Sequence, residues 1–427
     1  MEKEKPTRRV DKKINPSPKL KFGDRVKICH LITQTHFGGA QKYICDIVNN
    51  LDDSFDITIA FGEGKKEELE RYLTNSKVKL VQLKFLQRNI NIFKDKLAFW
   101  EILFFCKKNK FDILHLHSSK AGFIGSMMGK LAGVKKIIYT VHGWVFKENL
   151  SAIKKKFYRF LEKFSAKFKD KIICVSQNDY DLALKYKIVP EKKLKLIYNG
   201  IKTDTKFLEK QTARNYIFQV IKKQNPSLTS DFDLSSLEMG SNKAINKSIN
   251  LNEDTQIIGT ISNLYPNKGL EYLIMAAQKL NQKYKNLIFV VIGSGPEKEK
   301  LEKLIQKYKL NNFFLLGKID QAPQYLKALE IFTLTSTKEG LPYTLLEALE
   351  AQISIIASNL EGNEEIIKNN QNGLIFKATN VDDLVYKIQT ILNNSDFANQ
   401  LKTNTKNSLN KFNFNEFIKK IKNLYLE

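Results

Sequence analysis

Short apolar segments alternate with helical segments along most of this chain, and this alternation limits the possible folds more than any other feature. In the first 200 residues the strand-like segments are RVKICHLI, FDITIAF, FDILHLH, KKIIYTV and DKIICVS. After residue 255 they are TQIIGTIS, LIFVVIG, FFLLG, IFTLTS and SIIAS. Strands that alternate with helices form doubly wound parallel sheets with helices on both faces. We therefore predict the α/β class, with one such sheet in each half of the chain.

The length of 427 residues exceeds what one hydrophobic core usually holds, so two domains are expected. We predict a charged tail over residues 1–24, an N-terminal domain over 25–200 and a C-terminal domain over 256–410. The Ser- and Asn-rich stretch 203–255 has little periodicity, which predicts a flexible insertion near the interdomain connection. Residues 411–427 form a predicted helix that returns to the N-terminal domain. Two facing sheets enclose a cleft at the carboxyl ends of their strands, where such sheets bind ligands.

The N-terminal half is strongly basic. Residues 1–200 carry 41 Lys and Arg against 21 Asp and Glu, which is +20 of the formal net charge of +25. This asymmetry predicts that one face of the N-terminal domain meets an anionic partner, such as a phosphate-bearing substrate or an acidic membrane. A Lys-rich source proteome explains the raw count equally well, but not the difference between the halves. The basic segments include no recognised nucleic-acid module, so we predict no nucleic-acid partner.

The cysteines and the apolar segments indicate a cytoplasmic protein. Four widely spaced cysteines, Cys29, Cys45, Cys106 and Cys174, lie in apolar surroundings and include no C-x-x-C pair. Reduced thiols buried in a core are the expected state. No segment reaches the about 18 to 20 apolar residues of a membrane span, and the charged N-terminus is unlike a signal peptide. We predict a cytoplasmic protein, peripheral on the inner face of the plasma membrane.

The segment KEGLPYTLLEALEA carries the strongest functional signal. Pro342 suits the first position of a helix, because proline lacks the N–H that this position leaves unbonded. Glu339 then precedes the helix and Glu347 lies within it, so two carboxylates flank a helix N-terminus that favours an anion such as a diphosphate. The pair can accept hydroxyl hydrogen bonds from a sugar and from a ribose. Ordinary surface glutamates near a helix start are the alternative interpretation.

Two further segments of the C-terminal half fit an anion-binding site. In SNLYPNKG, Lys268 precedes Gly269 at a predicted helix start and can place an ammonium group on the same phosphates. In GSGPEKEKL, Gly293 and Gly295 lie at a strand-to-helix turn, where the missing Cβ lets backbone and ligand approach closely. The third glycine of a dinucleotide-binding fingerprint is absent. A simple tight turn explains these two glycines equally well.

Taken together, these segments resemble a known enzyme family. KEGLPYTLLEALE, SNLYPNKG and IGSGPE, with IYNGI at 197–201 and NGLIF at 372–376, resemble the retaining glycosyltransferases of family 4, which have the GT-B fold of two Rossmann-like domains. The similarity covers roughly residues 25–425, interrupted by the insertion. It implies that the C-terminal domain binds a nucleoside-diphosphate sugar, with a UDP-sugar as the expected donor. It also implies a glycan or lipid-linked acceptor in the N-terminal domain.

The resemblance implies roles for individual residues of the motif. Glu339 contacts hydroxyls of the donor sugar, and Glu347 binds the ribose. Gly340, Leu341 and Thr344 belong to the same motif and are expected to bind the donor as well.

One position departs from the family pattern. Family members usually have an arginine five residues before the motif lysine, and the two side chains neutralise the leaving diphosphate together. This chain has Asn263 at that position, still expected to border the donor. Lys268 therefore carries more of the neutralisation, or another cation assists it.

The first glycine loop and a strand-end histidine of the N-terminal half are expected to face the donor. THFGGAQKY places Gly38 and Gly39 between the first strand and the first helix, where the resemblance brings a glycine loop to the donor phosphates. A structural turn is the alternative. His142 in YTVHGW follows a strand end, and the resemblance puts it at the reaction centre. His115 and His117 end another strand, which favours a function for at least one of the three histidines.

Two segments predict contacts with acceptor and membrane. In HLHSSKAGFIG, Ser118, Ser119 and Lys120 are candidate contacts to an acceptor or its phosphate. The segment at 151–171, SAIKKKFYRFLEKFSAKFKDK, is basic and aromatic with apolar residues at helical spacing, as in helices that lie on anionic lipid. A helix that packs into the core with a solvated basic face is the alternative.

The predicted reaction moves a sugar from a nucleoside diphosphate to a hydroxyl of a lipid-linked or cell-envelope glycan, with retention of configuration. The helix N-terminus, the glycine amides and Lys268 would stabilise charge on the leaving diphosphate. We predict no metal and no other cofactor, because the DxD metal motif Asp231-Phe232-Asp233 lies in the low-complexity insertion. A sugar-nucleotide 2-epimerase of the same fold and a non-catalytic nucleotide or anion binder are the alternatives.

Overall fold

The computed structural model describes residues 25–148, 150–225 and 251–427. The described residues are organised around two parallel sheets, one of seven strands and one of six. The predicted tail at 1–24 and the motif Asp231-Phe232-Asp233 lie outside the described residues. The α/β class predicted from the alternation of strands and helices is confirmed.

The N-terminal sheet has the strand order β3-β2-β1-β4-β5-β6-β7. Its strands are β1 (Val26–Gln34), β2 (Phe55–Glu63), β3 (Lys79–Gln82), β4 (Ile113–Leu116), β5 (Lys136–Val141), β6 (Lys171–Cys174) and β7 (Leu194–Leu196). β1 is buried along most of its length because helices cover both faces of the sheet. The order reverses between β1 and β4, which leaves a crevice at the carboxyl ends of these two strands.

Helices cover both faces of the N-terminal sheet. They are α1 (Gly39–Val48), α2 (Glu67–Glu70), α3 (Ile92–Asn109), α4 (Ser119–Leu131), α5 (Ala152–Ser165) and α6 (Gln177–Lys185). Helix α4 packs between α3 and α5, so these three helices form one continuous layer. All four cysteines are buried and free, which confirms the predicted core thiols.

The C-terminal sheet repeats the same design with the order β10-β9-β8-β11-β12-β13. Its strands are β8 (Gln256–Ile261), β9 (Leu287–Ile292), β10 (Phe313–Gly317), β11 (Ile331–Leu334), β12 (Ser354–Ser358) and β13 (Leu374–Phe376). Its helices are α8 (Leu270–Leu280), α9 (Lys298–Lys307), α10 (Tyr343–Glu350), α11 (Glu361–Glu364), α12 (Val381–Leu392) and α13 (Ser395–Thr405). The order reverses between β8 and β11, so the C-terminal sheet has its own ligand crevice.

The last helix, α14 (Phe414–Leu426), lies against the N-terminal domain. Phe417 and Tyr425 pack with the ring of Tyr43 and with β1 and β2. A backbone bridge pairs Ile201 with Asn413 where the chain crosses back. The N-terminal core therefore includes side chains from the end of the chain.

The flexible insertion predicted at 203–255 is wrong for residues 210–224. These residues form helix α7 (Lys210–Gln224), in which Ala213, Ile217 and Ile221 are buried one turn apart. Arg214 is also buried, and its guanidinium donates to the carboxylate of Glu330 and to backbone carbonyls of residues 252–255. The apolar period of α7 was hidden by the polar composition of the residues that follow it. Residues 226–250 lie outside the described part of the chain.

Two smaller differences concern element boundaries. α10 begins at Tyr343 rather than at Pro342, because Pro342 keeps an extended ψ of 123° and so caps the helix. The edge strands β3, β7 and β13 were not predicted as strands. Each has only three or four residues, too few for a period to be recognised.

Candidate active site

A cavity of about 1140 Å³ lies between the two domains, at the carboxyl ends of strands from both sheets. Eight predicted site residues line this cavity: Gly38, Gly39, Asn263, Lys268, Gly293, Gly295, Thr344 and Glu347. A second cavity of about 720 Å³ lies at the opposite, amino-terminal ends of the N-terminal strands. Ligands of doubly wound sheets bind at the carboxyl ends, so the interdomain cavity is the candidate active site.

Two helix N-termini meet at this cavity from opposite domains. α1 begins at Gly39 and α10 begins at Tyr343, and a Cβ at Gly39 would lie only 3.7 Å from the ring of Tyr343. Neither helix has a side-chain cap on its first N–H groups. Unbonded N–H groups and the two helix dipoles therefore point toward one region, which favours an anion there.

Glu339 and Lys268 form an ion pair at the edge of this region. The Lys268 Nζ lies 2.6 Å from Glu339 Oε1, and the Ser336 hydroxyl donates to the same oxygen at 2.6 Å. Both side chains of the pair are largely but not fully buried. Lys268 therefore already has one anionic partner, and an anionic ligand would compete with Glu339 for the ammonium group.

The loop that follows Glu339 packs directly on the N-terminal domain. A Cβ at Gly340 would lie 2.5 Å from the carbonyl oxygen of His142, and a Cβ at Gly362 would lie 1.9 Å from the carbonyl oxygen of Gly340. Only glycine fits between these backbones. Gly143 has φ +120°, a conformation that favours glycine. His142 and the Glu339 loop are thus brought together across the cleft, although neither lines the cavity itself.

The motif IYNGI at 197–201 holds the loop that follows Glu339 through one hydrogen bond. The Asn199 side-chain amide is buried and donates to the carbonyl oxygen of Leu341 at 2.8 Å. Leu341 is itself buried in the core, so its side chain does not reach a ligand. Only the backbone of Leu341 can therefore contribute to the predicted donor site, and Asn199 fixes the position of that backbone.

Glu347 lies in the cavity wall, and Lys42 of the N-terminal domain is the cation whose charge acts on it. Burial raises the pKa of Glu347 to about 7, and the charge of Lys42 opposes that shift. The Lys42 Nζ lies 3.4 Å from Asp46 Oδ2 and 5.1 Å from the centre of the Tyr343 ring. Lys42 was missed in the sequence, although its position one turn into the helix after the glycine loop is the available signal. It brings an N-terminal cation to a C-terminal carboxylate.

Asn263 connects the two domains. Its amide Nδ2 donates to the carbonyl oxygen of Phe37 at 3.0 Å, and a Cβ at Gly38 would come within 3.3 Å of that nitrogen. An asparagine at this position therefore fixes the glycine loop against the C-terminal domain. A longer arginine side chain could not occupy the same closed arrangement without moving the loop.

Gly293 and Gly295 lie where the backbone after β9 passes close to the loop after β8. A Cβ at Gly293 would lie 2.0 Å from the carbonyl oxygen of Ser262, and Gly293 has φ +150°. A Cβ at Gly295 would lie 2.5 Å from the carbonyl oxygen of Leu264. These glycines are required by backbone packing, so the tight-turn interpretation holds, and their loop also lines the cavity.

Four histidines form a connected cluster beneath the N-terminal side of the cleft. His30 and His115 are register partners on β1 and β4, and His30 Nδ1 lies 2.9 Å from His117 Nε2. His115 bonds the hydroxyls of Tyr425 and Thr140, at 2.6 and 2.7 Å. The cluster thus extends from the end of β4 to α14.

The cluster is electrically neutral at physiological pH. Burial lowers the pKa of His30 and of His142 to about 3, and it lowers the pKa of His115 and His117 well below the usual range. The His142 ring lies 5.9 Å from that of His117, which links the cluster to the cleft. His30 was missed because a histidine inside a strand carries no positional signal.

Among the described residues, His30, His115 and His117 are the group whose ligand atoms lie close enough to hold a metal, within 4.8 Å of one another. His115 uses both ring nitrogens for hydroxyl hydrogen bonds, and His30 and His117 bond each other. A divalent cation would have to replace these bonds without any carboxylate to balance its charge. The arrangement fits neutral, hydrogen-bonded imidazoles better, and the expected absence of a metal requirement stays a prediction.

The candidate acceptor residues lie apart from the cavity lining. Ser118 stands immediately before α4 without a capping hydrogen bond from its hydroxyl, and Ser119 begins that helix. The Lys120 ammonium pairs with Asp95 at 2.7 Å and also donates to the carbonyl oxygen of Asn89. Lys120 therefore fastens α4 to the start of α3, and its proposed contact with an acceptor stays a prediction.

Two family models and a relative of similar length match this chain. The family model described as "Glycosyltransferase Family 4" matches residues 37–205, and the one described as "Glycosyl transferases group 1" matches residues 241–408. The Escherichia coli enzyme UDP-Gal:alpha-D-GlcNAc-diphosphoundecaprenol alpha-1,3-galactosyltransferase is 28% identical to this chain, over 94% of this chain and 97% of its own length.

Two solved structures share the fold. HepE from Anabaena, in complex with UDP and glucose, aligns with a TM-score of 0.73 at 18% identity, over 94% of this chain and 99% of HepE. WaaG, a glycosyltransferase involved in lipopolysaccharide biosynthesis, aligns with a TM-score of 0.65 at 14% identity, over 93% of this chain and 99% of WaaG. The predicted fold of two Rossmann-like domains is confirmed. Among the helices of the described residues, none has both the length and the apolar character needed to span a membrane.

Proposed function

Because this chain belongs to glycosyltransferase family 4, we propose that it transfers a hexose from a UDP-sugar to a hydroxyl of a lipid-linked glycan with retained anomeric configuration. The observation that carries this proposal is the convergence of two uncapped helix N-termini and Lys268 on one cavity, with Glu347 in the cavity wall and Glu339 paired with Lys268 at its edge. A diphosphate fits such a region, because fixed N–H dipoles and an ammonium group stabilise it without reorganisation.

The donor sugar would lie beside Glu339 and His142. Lys268 and Glu339 form an ion pair in the structure, and the diphosphate of a donor would compete for the ammonium group. On donor binding, Lys268 would turn to the diphosphate and release Glu339 to accept hydrogen bonds from sugar hydroxyls. Glu347 would accept hydrogen bonds from the ribose.

In the proposed step, the bond between the anomeric carbon and the β-phosphate oxygen breaks, and its electron pair stays on the nucleoside diphosphate. The acceptor oxygen forms the new bond to the same face of the anomeric carbon. Its proton passes to the departing phosphate oxygen. The helix N-termini and Lys268 stabilise the charge that develops on this leaving group, and that contribution is the main catalytic task of the protein.

We propose Lys42 as the second cation of the donor site. Asn263 cannot supply a charge, and its amide bonds the Phe37 carbonyl instead. Lys42 lines the cavity, and its ammonium contacts one carboxylate, Asp46, at 3.4 Å. A bound anion in the cavity would therefore share the Lys42 ammonium with Asp46.

The acceptor side of the proposal has a different basis. The Escherichia coli relative acts on a sugar linked to diphosphoundecaprenol, and the relation to this chain extends over nearly the whole length of both proteins. We propose an acceptor of the same chemical class, presented at the cytoplasmic face of a membrane. Peripheral contact through residues 151–171 belongs to the same proposal.

A donor screen tests the proposed activity. Purified protein is incubated with UDP-galactose, UDP-glucose and UDP-N-acetylglucosamine, with and without a sugar linked to a short polyprenyl diphosphate. We expect a new glycoside that forms only with acceptor, with an α-linkage by NMR. An epimerised nucleotide sugar without acceptor would favour the 2-epimerase instead. An inverted linkage would contradict the proposed mechanism and keep the transferase activity.

A further inference from the structure

Helix α3 has a stripe of large apolar side chains that face solvent. Phe93, Leu97, Trp100 and Phe104 follow one another at spacings of four, three and four residues, which places them along one face of the helix. Their exposed fractions are 81%, 46%, 60% and 61%. Exposed aromatic residues are common singly, but a contiguous exposed stripe of this size marks an interaction surface.

Helix α5 has a second apolar stripe at the same spacing, and this stripe also faces solvent. Ile153, Phe157, Phe160 and Phe164 repeat the spacing of four, three and four and are exposed by 82%, 54%, 62% and 36%. Its buried residues are Glu162 and Ser165, whose carboxylate and hydroxyl bind the buried Lys169 ammonium at 3.1 and 2.9 Å. The apolar stripe therefore faces solvent, although Tyr158 and Ala166 of the segment 151–171 pack against the core.

The acidic residues of the two helices are turned away from this surface. Asp95 pairs with Lys120, and Glu162 pairs with Lys169. The Glu101 carboxylate accepts the backbone N–H groups of residues 84 and 85. Eight exposed lysines flank the stripes: Lys94, Lys96, Lys107, Lys108, Lys154, Lys156, Lys163 and Lys167. The surface thus combines an apolar centre with an uncompensated positive border.

The two stripes belong to one surface. α4 packs between α3 and α5, and the ring of Phe123 on α4 lies 6.4 Å from that of Phe164. We name the exposed faces of α3 and α5 the docking face. We propose that the docking face lies on an anionic lipid bilayer, with the aromatic stripes in the interface and the lysines on the lipid head groups. This inference rests on the proposed lipid-linked acceptor and adds α3 to the segment predicted from sequence.

Charge decides between a bilayer and a second copy of the chain. Two docking faces brought together would oppose their lysines, with no exposed acidic residue of α3 or α5 to compensate. A bilayer with acidic head groups provides the missing negative charge and accepts both apolar stripes at once. The bilayer is therefore the occupant that fits both properties.

The docking face begins at the mouth of the cleft. Exposed Ile90 and Phe93 follow Arg88 closely, and the Arg88 guanidinium lies 4.7 Å from the ring centre of Tyr265, which lines the cavity. Lys120 fastens the start of α3 to α4 through Asn89 and Asp95. Insertion of this end would bring the cleft to the lipid surface, so an acceptor could be glycosylated without leaving the bilayer.

The tryptophans provide a direct test, because the chain contains only two. Trp100 is 60% exposed on the docking face and Trp144 is 1% exposed in the core. Phosphatidylcholine vesicles with added phosphatidylglycerol are titrated into the protein. We expect a blue shift of the emission that is absent from Trp100→Phe and weak with phosphatidylcholine alone. Unchanged emission during sedimentation with vesicles would contradict the docking face, because another surface would then carry the binding.

Matched variants separate the apolar and the charged contributions. Phe93→Ser with Phe104→Ser should weaken vesicle binding by roughly tenfold or more. The control pair, Tyr386→Ser with Leu426→Ser, removes side chains of similar exposure from other helices and should have no effect. Lys154→Gln with Lys156→Gln should weaken binding by about fivefold for each lysine removed. Equal effects of the test and control pairs would overturn the proposal.

Two further measurements keep the outcomes distinct. Transfer to a water-soluble acceptor should be unchanged in the docking-face variants, whereas transfer to an acceptor in vesicles should fall with binding. A loss of both activities would point to damage in the donor site rather than in the docking face. Sedimentation equilibrium of the free protein should show a monomer, and a dimer that the Phe93→Ser and Phe104→Ser changes dissociate would assign the face to a second copy.

Discussion

The two walls of the cleft differ in the charge of the polar groups behind them. The C-terminal wall carries an ion pair, Lys268 with Glu339, and a carboxylate, Glu347, whose pKa burial raises to about 7. The N-terminal wall rests on neutral imidazoles, and burial lowers the pKa of His30 and His142 to about 3. Ionised groups therefore lie on the C-terminal side of the cleft, whereas on the N-terminal side Lys42 lines the cavity and uncharged imidazoles lie beneath it.

This difference matches the two kinds of ligand that a sugar transfer brings together. A nucleoside diphosphate carries its charge into the site and needs preorganised cations and dipoles. An acceptor hydroxyl is neutral until it reacts, and uncharged imidazoles can lie near it without binding the donor phosphates. Each of the following experiments tests whether the charged and the neutral wall act separately.

The largest effect is expected from Glu339→Gln on the charged wall. This change keeps the shape of the side chain but removes the negative charge, which we propose accepts hydrogen bonds from hydroxyls of the donor sugar. The transfer rate should fall by roughly 100-fold to 1000-fold, while UDP still binds because Lys268 loses a competitor. Steady-state transfer and calorimetric UDP titration measure the two quantities. Glu361→Gln, an exposed change nearby, is the control, and a loss within about threefold for Glu339→Gln would remove that residue from the mechanism.

Lys268→Met tests whether the charged wall holds the diphosphate. UDP affinity should fall by roughly 10-fold to 100-fold, because a charge-assisted contact to phosphate is lost. Uridine affinity should stay the same, since uridine has no phosphate. Lys42→Met measured in parallel tells whether the N-terminal domain contributes a cation, with a smaller loss of about fivefold expected. Equal losses for UDP and uridine would mean that the lysine supports folding of the site instead.

Acid sensitivity tests the neutral wall. The imidazoles of His30 and His142 stay unprotonated in the folded protein until about pH 3, whereas they gain protons near pH 6.5 when unfolded. The unfolded state therefore binds more protons below pH 6.5, and each ring lowers the free energy of unfolding by about 1.4 kcal/mol per pH unit as the pH falls toward 3.

Denaturant unfolding between pH 4 and pH 7 measures this slope. His30→Leu should reduce it, and His36→Gln, at an exposed histidine, should leave it unchanged. A His30→Leu protein with the same slope as the unmodified protein would show that this ring titrates normally in the fold.

The smallest effect concerns Glu347 and the pH dependence of ribose binding. Its pKa of about 7 means that the carboxylate is half protonated near neutral pH. A carboxylate accepts two hydroxyl hydrogen bonds, so uridine affinity should rise by roughly threefold to fivefold from pH 6 to pH 8. Uridine avoids the titration of a phosphate. Glu347→Gln should abolish the rise, and a rise that persists in this variant would assign it to another group.

The charged wall could largely be predicted from the sequence, because its determinants are local. A loop with one glycine, Gly340, followed by a proline and a helix, places Glu339 and Glu347 by backbone rules within twelve residues. The alternation of strands and helices is also local, and it predicted ten strands whose positions the structure matches. Local patterns cannot predict that Lys268 pairs with Glu339, since 71 residues separate them.

The neutral wall and the docking face depend on contacts between distant segments. His115 meets Tyr425 across 310 residues, and no pattern near either residue indicates this partner. α3 is apolar on both sides, so its sequence does not tell which side faces solvent. α5 has a clear apolar period, but its sequence does not show that this stripe faces solvent while Glu162 is buried beside Lys169.

The return of α14 to the N-terminal domain affects how the protein is made. Phe417 and Tyr425 belong to the core around β1, but they are translated after the whole C-terminal domain. Domains that fold during synthesis normally complete their packing in order from the N-terminus. Here the domain that leaves the ribosome first is completed last, so it needs protection from aggregation while the remaining 200 or so residues are added.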